Sequence, residues 1–233
     1  MKKDVILGTA YLGQKYFSLE FSQMYEVFTE HGFNLVDTAV NYPITGNPKD
    51  FSVALKILRD LGLPKKSVYV KVGGCQNKGT PDNLLNESYL RFTCELIDDY
   101  FQDSLFGIGI HWDNRENHQE ISNTLQILES IQNLGLTVGF SGVKQIKNYT
   151  ALLDSKRRPY IVQYNLRDLT TIQTSNYSLN WVYGLAKFRQ KSVFAPDSTL
   201  NILMNDDRIG GALIGPTNVG QLKEWLETLN AQS

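Results

Sequence analysis

LFGIGIHWDNRENHQEISNTLQILESIQNLGLTVGFSG, residues 105–142, holds one complete structural repeat. It opens on an apolar run, LFGIGIHW at 105–112. It then passes through polar residues into a stretch of helical spacing at 118–134, which stops at Gly135. A second apolar run, LTVGFSG at 136–142, closes it. Neither run alternates apolar with polar residues, and continuous apolar character is expected of strands covered on both faces. Strand, helix and strand in this order define a parallel βαβ unit.

The same unit recurs on both sides. Apolar runs stand at 5–8 (VILG), 33–38 (FNLVDT), 67–73 (SVYVKVG), 160–166 (YIVQYNL), 180–186 (NWVYGLA) and 211–215 (GALIG), eight in all with the first two. Between them, residues 18–30 carry Leu19, Met24, Val27 and Phe28 at helical spacing. Asn47-Pro48 predicts a capped start for a helix bearing Phe51, Ala54, Leu55 and Leu58 that ends at Gly62. Further helices are predicted over 82–102, 144–154, 197–206 and 217–230. Eight strands alternating with helices in 233 residues imply a single α/β domain over 1–233, a (β/α)₈ TIM barrel. The sixth helix is expected to be reduced, because RDLTTIQTSNYS (167–178) is polar and rich in Thr and Ser.

The composition sets outer bounds. Twenty-three basic and 24 acidic residues give a formal charge of -1, which argues against a nucleic-acid surface. Mean hydropathy is -0.27, no apolar run is long enough for a membrane span, and MKKDVILGTA does not read as a secretory leader. Cys75 and Cys94 lie far from any metal or redox spacing, so no metal site and a reducing, cytoplasmic setting are expected.

In a barrel of this kind the reacting groups lie at the C-terminal strand ends. Thr9, Asp37, Lys71, His111, Trp112, Ser141, Gln163 and Tyr183 fall at or near those ends, with Tyr42 in the loop after the second strand. Each has a plain structural alternative: a capping Asp, a packed loop Tyr, a core His. Lys71 inside VYVKVGG is harder to place as mere structure, since a buried lysine needs an anion. An ammonium beside a phenol favours the phenolate, a carboxylate keeps the ammonium charged, and an imidazole can orient a carbonyl. Such a group suits protonation of an oxyanion as hydride reaches a carbonyl carbon, or the reverse.

These residues carry a resemblance. VDTAVNY (36–42) resembles the DTAxxY segment of the aldo-keto reductase superfamily, VKVGG its lysine strand, and IGIHW its histidine strand. Asp37, Tyr42, Lys71 and His111 match that family's catalytic tetrad in order and spacing. LGTAYLG, VGFSG, VQYNL and LIGPTNVGQLKEWLETL are similar to its first, fifth and sixth strands and its final cofactor loop and helix. The resemblance implies a (β/α)₈ barrel and carbonyl reduction with NADP(H), or NAD(H), without a Rossmann domain. It places Thr9 and Asp37 near the nicotinamide ribose, Ser141 on the carboxamide and Tyr183 on the ring. Gly215, Pro216, Thr217 and Asn218, with the helix start from Val219, take the adenosine phosphate.

Several positions depart from the family pattern. Gly142 stands where Asn usually follows Ser141. The family's amide-binding Gln falls on Ile161, with Gln163 as a substitute on the same strand face. Gln221 stands where an Arg often falls, and Trp225 where Asn is common. Lys187, Arg189 and Lys191 could supply phosphate contacts after the seventh strand, or form a solvated basic loop. Trp112 and Trp181 are expected to line the substrate side, though Trp112 can equally pack against the fourth helix. The sequence stops at Ser233 straight after the last predicted helix, without the C-terminal segment of many members. An open mouth, or one completed by a homodimer partner, is therefore expected for a small carbonyl or sugar substrate. Two alternatives stand beside the reductase: a regulatory barrel without turnover, and a redox-neutral barrel enzyme acting on a sugar.

Overall fold

The computed structural model describes residues 3–79, 81–185 and 203–230. Eight parallel strands close into one barrel in sequence order. They are β1 (Asp4–Gly8), β2 (Val36–Ala39), β3 (Val68–Val72), β4 (Leu105–Asp113), β5 (Thr137–Val143), β6 (Tyr160–Asn165), β7 (Ser178–Tyr183) and β8 (Gly211–Ile214). The outer helices are α1 (Ser18–Glu30), α2 (Val53–Leu61), α3 (Glu87–Phe101), α4 (His118–Asn133), α5 (Ile146–Ser155) and α6 (Val219–Asn230). The predicted (β/α)₈ barrel is therefore the observed fold.

The continuous apolar runs are explained by two separate layers of packing. A large cluster fills the space between strands and helices, with Val36, Val70, Ile108, Ile110, Val138 and Val162 facing outward to it. A small cluster of Ile6, Leu35, Tyr69, Ile161, Trp181 and Leu213 fills the barrel interior near the N-terminal strand ends. Residues two apart along a strand share a face. The interior face therefore runs from Leu35 to Asp37, from Tyr69 to Lys71, and from Ile161 to Gln163, apolar below and polar above.

Tyr69 spans this interior. Its hydroxyl lies where a Cβ on Gly109 would be 2.0 Å away and one on Gly139 2.6 Å away. The two glycines, on β4 and β5, thus make room for an aromatic ring from the adjoining strand β3. Trp181 meets Tyr69 edge-on at 5.4 Å and stacks on Phe106 at 6.4 Å.

Helix boundaries differ from the sequence expectation at two places. Asn47 caps a 3₁₀ turn, Pro48–Asp50, through Lys49 N–H, and α2 begins only at Val53 after Ser52 takes a left-handed conformation (φ 62°). The helix predicted from 82 begins at Glu87, capped by Asn86. The residues before it pair instead with the end of β3, through Cys75 N to Asp82 O at 2.9 Å and Leu84 N to Gly73 O at 2.7 Å. After β6 there is only a 3₁₀ segment, Leu166–Thr171, capped by Asn165, which is the expected reduced sixth helix. Most of the helix predicted over 197–206 lies outside the described residues.

Candidate active site

Lys71 is the centre of the site. It sits at the upper end of β3, buried, with its register partners Ala39 and Gly109 on either side. An ammonium has three N–H donors and no acceptor. All three find acceptors here: Asp37 Oδ1 at 2.5 Å, Gln163 Oε1 at 3.3 Å and the Tyr42 hydroxyl at 3.4 Å. The second carboxylate oxygen of Asp37 accepts from Gln163 Nε2 at 2.6 Å. Asp37, Lys71 and Gln163 thus form a closed ring of hydrogen bonds, and the Tyr42 phenol is attached to it through the ammonium.

Tyr42 reaches this point from a loop that is tied down along its length. Its backbone N–H donates to Ala39 O and its carbonyl accepts from Ala54 N–H, at the start of α2. Ser52 Oγ donates to Val40 O at 2.6 Å. Asn77 Nδ2 donates to Thr45 Oγ1 at 2.8 Å, lacing the loop to the one after β3. His111, from β4, meets the Tyr42 ring edge-on with centroids 5.8 Å apart.

Electrostatics follow from burial. Burial pushes the Tyr42 phenol above its ordinary value, and Lys71 reverses only part of that. The expectation that the ammonium depresses this pKa holds for the direction of its own influence, but desolvation outweighs it. Tyr42 is therefore a neutral phenol at neutral pH. For Lys71, burial pulls the pKa down, yet the Asp37 charge and the hydrogen bonds to Asp37 and Tyr42 more than compensate, so the amine is held above its usual value and stays charged. Burial raises Asp37 while Lys71 opposes it. His111 is pushed well below its ordinary value by burial and by the Lys71 charge, and is neutral.

The remaining predicted residues divide into groups. Ser141 lies between His111 and Gln163 in the strand register. Tyr183 and Asn165 are register partners on β7 and β6, and both line a cavity of about 100 Å³ with Phe140, Gly142, Gln163 and Asp168. Trp112 is partly exposed with φ 59°, its carbonyl accepting from Asn83 Nδ2 at 2.6 Å. Its ring covers Gly142. That residue has φ 66°, and a Cβ there would lie 2.6 Å from the indole, so a side chain at this position would meet both backbone strain and the ring.

Two expectations are corrected. Trp181 does not line the substrate mouth: it is 1% exposed and packed in the lower barrel interior on Tyr69 and Phe106. It is the Tyr183 side chain, two residues further along the same face, that reaches the cavity. Thr9 is fully buried, its hydroxyl donating to the Asp37 carbonyl at 3.0 Å, so its side chain is committed to the end of β2 and closed to solvent.

The loop before α6 holds Gly215, Pro216, Thr217 and Asn218. Gly215 has open space beyond its Cα. Asn218 Oδ1 accepts from Gln221 N–H at 2.9 Å, while Gln221 turns back so that Oε1 accepts from Thr217 N–H at 2.9 Å. One first-turn donor, Gln221 N–H, and one loop donor, Thr217 N–H, that could meet an anion are thereby taken by side chains of the same segment. Lys187, Arg189 and Lys191 lie outside the described residues.

Sequence reasoning missed Asn41. It is fully buried one residue before Tyr42, with His111 Nδ1 at 3.1 Å from Oδ1 and Gln76 O at 3.0 Å from Nδ2. A polar residue inside the quoted VDTAVNY string, directly beside the candidate tyrosine, was the available signal. Gln163 was placed near the cofactor amide; in the structure it lines the cavity beside Tyr183 and also closes the Asp37–Lys71 ring.

No protein-family model matches this sequence, and no curated protein matches it. Solved structures do match. A Pseudomonas aeruginosa protein described as an aldo-keto reductase superposes with a TM-score of 0.72 at 18% identity, covering 98% of this chain and 90% of that one. An aldo-keto reductase from Bacillus halodurans, in its holo form, gives 0.73 at 16% identity, covering 97% and 86%. At these identities the likeness establishes architecture: this chain has the barrel fold of the aldo-keto reductases.

Proposed function

We propose that the protein is an oxidoreductase that reduces a carbonyl group to an alcohol with a nicotinamide cofactor, NAD(P)H. The observation that carries this reading is the three-way engagement of Lys71, which links a buried carboxylate to a buried neutral phenol. The cavity beside Tyr183 suits a flat ring: it is lined by aromatic and amide groups, and its volume of about 100 Å³ is that of a subsite, well below the 300–1,000 Å³ of a whole ligand pocket. Asn165, which lines it, and Ser141, the register neighbour of the lining Gln163, are polar groups that suit a carboxamide. A reduced nicotinamide bound there would supply hydride to the carbonyl carbon.

The chain's own contribution is the proton. Tyr42 holds it on its hydroxyl oxygen, because burial keeps the phenol neutral. As negative charge develops on the substrate oxygen, Tyr42 gives that proton up, and the phenolate left behind faces an ammonium 3.4 Å away. Asp37 and Gln163 hold Lys71 charged and fix its direction. The tyrosine recovers its proton from solvent. For the adenosine phosphate, the loop before α6 would have to exchange its Gln221 and Asn218 contacts for the anion, so this part of the site fits less readily than the ring cavity.

The test is Tyr42→Phe. The variant is expected to keep the fold and NADPH binding, read by nicotinamide fluorescence, and to lose about 10²–10⁴-fold in turnover of a simple aldehyde. Wild-type kinetics in the variant would end the proton-donor assignment. The occupied donors before α6 favour a second reading, a barrel that binds the cofactor poorly and turns nothing over. Absence of NADPH and NADH binding by the wild-type protein would select it.

A further inference from the structure

The geometry points to Asn41 as a positioning residue that decides which ring nitrogen of His111 carries the proton: Nδ1 donates to Asn41, and Nε2 is left as an acceptor. The backbone carbonyl of Gln76 can only accept, so the 3.0 Å bond from Asn41 must come from the amide nitrogen, Nδ2. That orientation turns Oδ1 toward His111, 3.1 Å from Nδ1. Oδ1 carries no hydrogen, so Nδ1 must supply one. A flipped amide would set two carbonyl oxygens, Asn41 Oδ1 and Gln76 O, against each other. Asn41 is fully buried, and Gly74 walls its amide so closely that a Cβ there would lie 3.1 Å from both Cγ and Oδ1.

A neutral imidazole has one N–H. With that proton committed to Asn41, Nε2 presents a lone pair. His111 is buried and shares its surroundings with the Lys71 ammonium, which disfavours a second proton. The imidazole beside Tyr42 therefore offers an acceptor, not a donor, at Nε2. The catalytic meaning of this assignment rests on the oxidoreductase reading, but the tautomer itself does not.

The experiment is a long-range ¹H–¹⁵N correlation spectrum of the uniformly labelled protein. It has three histidines, and His111 is assigned by the signals missing from His111→Gln. The expected pattern has a protonated Nδ1 and a bare Nε2. A protonated Nε2, or a doubly protonated ring, overturns the proposal. In Asn41→Leu the two ring nitrogens are expected to move toward intermediate shifts, as both tautomers become populated; Asn41→Ala makes the same test if the larger side chain prevents folding. An unchanged Nδ1–H pattern in a folded variant would show that Asn41 does not set it. Failure of the wild-type protein to bind NADPH would sink the oxidoreductase reading and leave these spectra as they are.

Discussion

Replacing Lys71 by methionine keeps a long unbranched side chain and removes all three donors at once. Asp37 is buried, and the change strips Oδ1 of its 2.5 Å partner while Gln163 still donates to Oδ2. Breaking one side of a buried ion pair costs about 3–5 kcal/mol, because the remaining charge is left in a poorly solvating interior. For a chain of this size that corresponds to a fall in Tm of about 6–20 °C.

The variant has one escape, protonation of Asp37. Burial already raises this carboxyl, and loss of the ammonium removes the largest opposing influence. A carboxyl whose folded pKa exceeds its unfolded one binds more protons when folded, so its stability falls with rising pH and recovers as pH is lowered. Recovery amounts to at most about 1.4 kcal/mol per pH unit. In the wild type, Lys71 is raised above 10.5, so the stability it contributes is fully present below that pH and is lost only as pH climbs through the folded value. Urea unfolding near pH 7.5 and near pH 5.5 reads both effects. The expected result is a large deficit at the higher pH, a smaller one at the lower, and a recovery of most of it in Asp37→Asn/Lys71→Met. A variant as stable as wild type at the higher pH, or a deficit that pH does not alter, would refute the account of the pair.

Tyr69→Phe is expected to leave stability unchanged or raise it by up to about 1 kcal/mol, since the hydroxyl is buried without a hydrogen-bond partner among the described residues. A loss of more than about 1 kcal/mol in urea unfolding would mean that the hydroxyl is satisfied after all. Gln163→Leu should cost about 1–3 kcal/mol by orphaning Asp37 Oδ2 and should lower turnover by loosening Lys71, while NADPH affinity changes less than kcat. If only affinity falls, Gln163 serves the cofactor, as the sequence first suggested, and not the lysine.

Much of the architecture was legible because it is carried by local patterns. Continuous apolar runs alternating with helical spacing mark βα units, and RDLTTIQTSNYS lacks the apolar stripe that a full sixth helix would need to bury. The errors fell where long-range pairing overrode local preference. Residues 82–84 read as helix yet pair with residues 73–75 just past the end of β3, which gives their backbone groups long-range partners in place of a first helical turn. Trp181 read as a mouth residue because it stands near a strand end; the register places it a layer below Tyr183, against Tyr69.

Residue type alone fixed that Asp37, Tyr42, Lys71 and His111 were the groups to watch, since a lysine in an apolar strand demands an anion wherever the chain takes it. Their order in the chain says nothing, however, about net desolvation or hydrogen-bond direction. Those depend on how much water the closed barrel excludes and on which acceptor each donor meets. Only the folded arrangement shows that burial outweighs the ammonium at Tyr42, that Gln163 completes the ring around Lys71, and that the Asn41 amide lies against Nδ1 of His111.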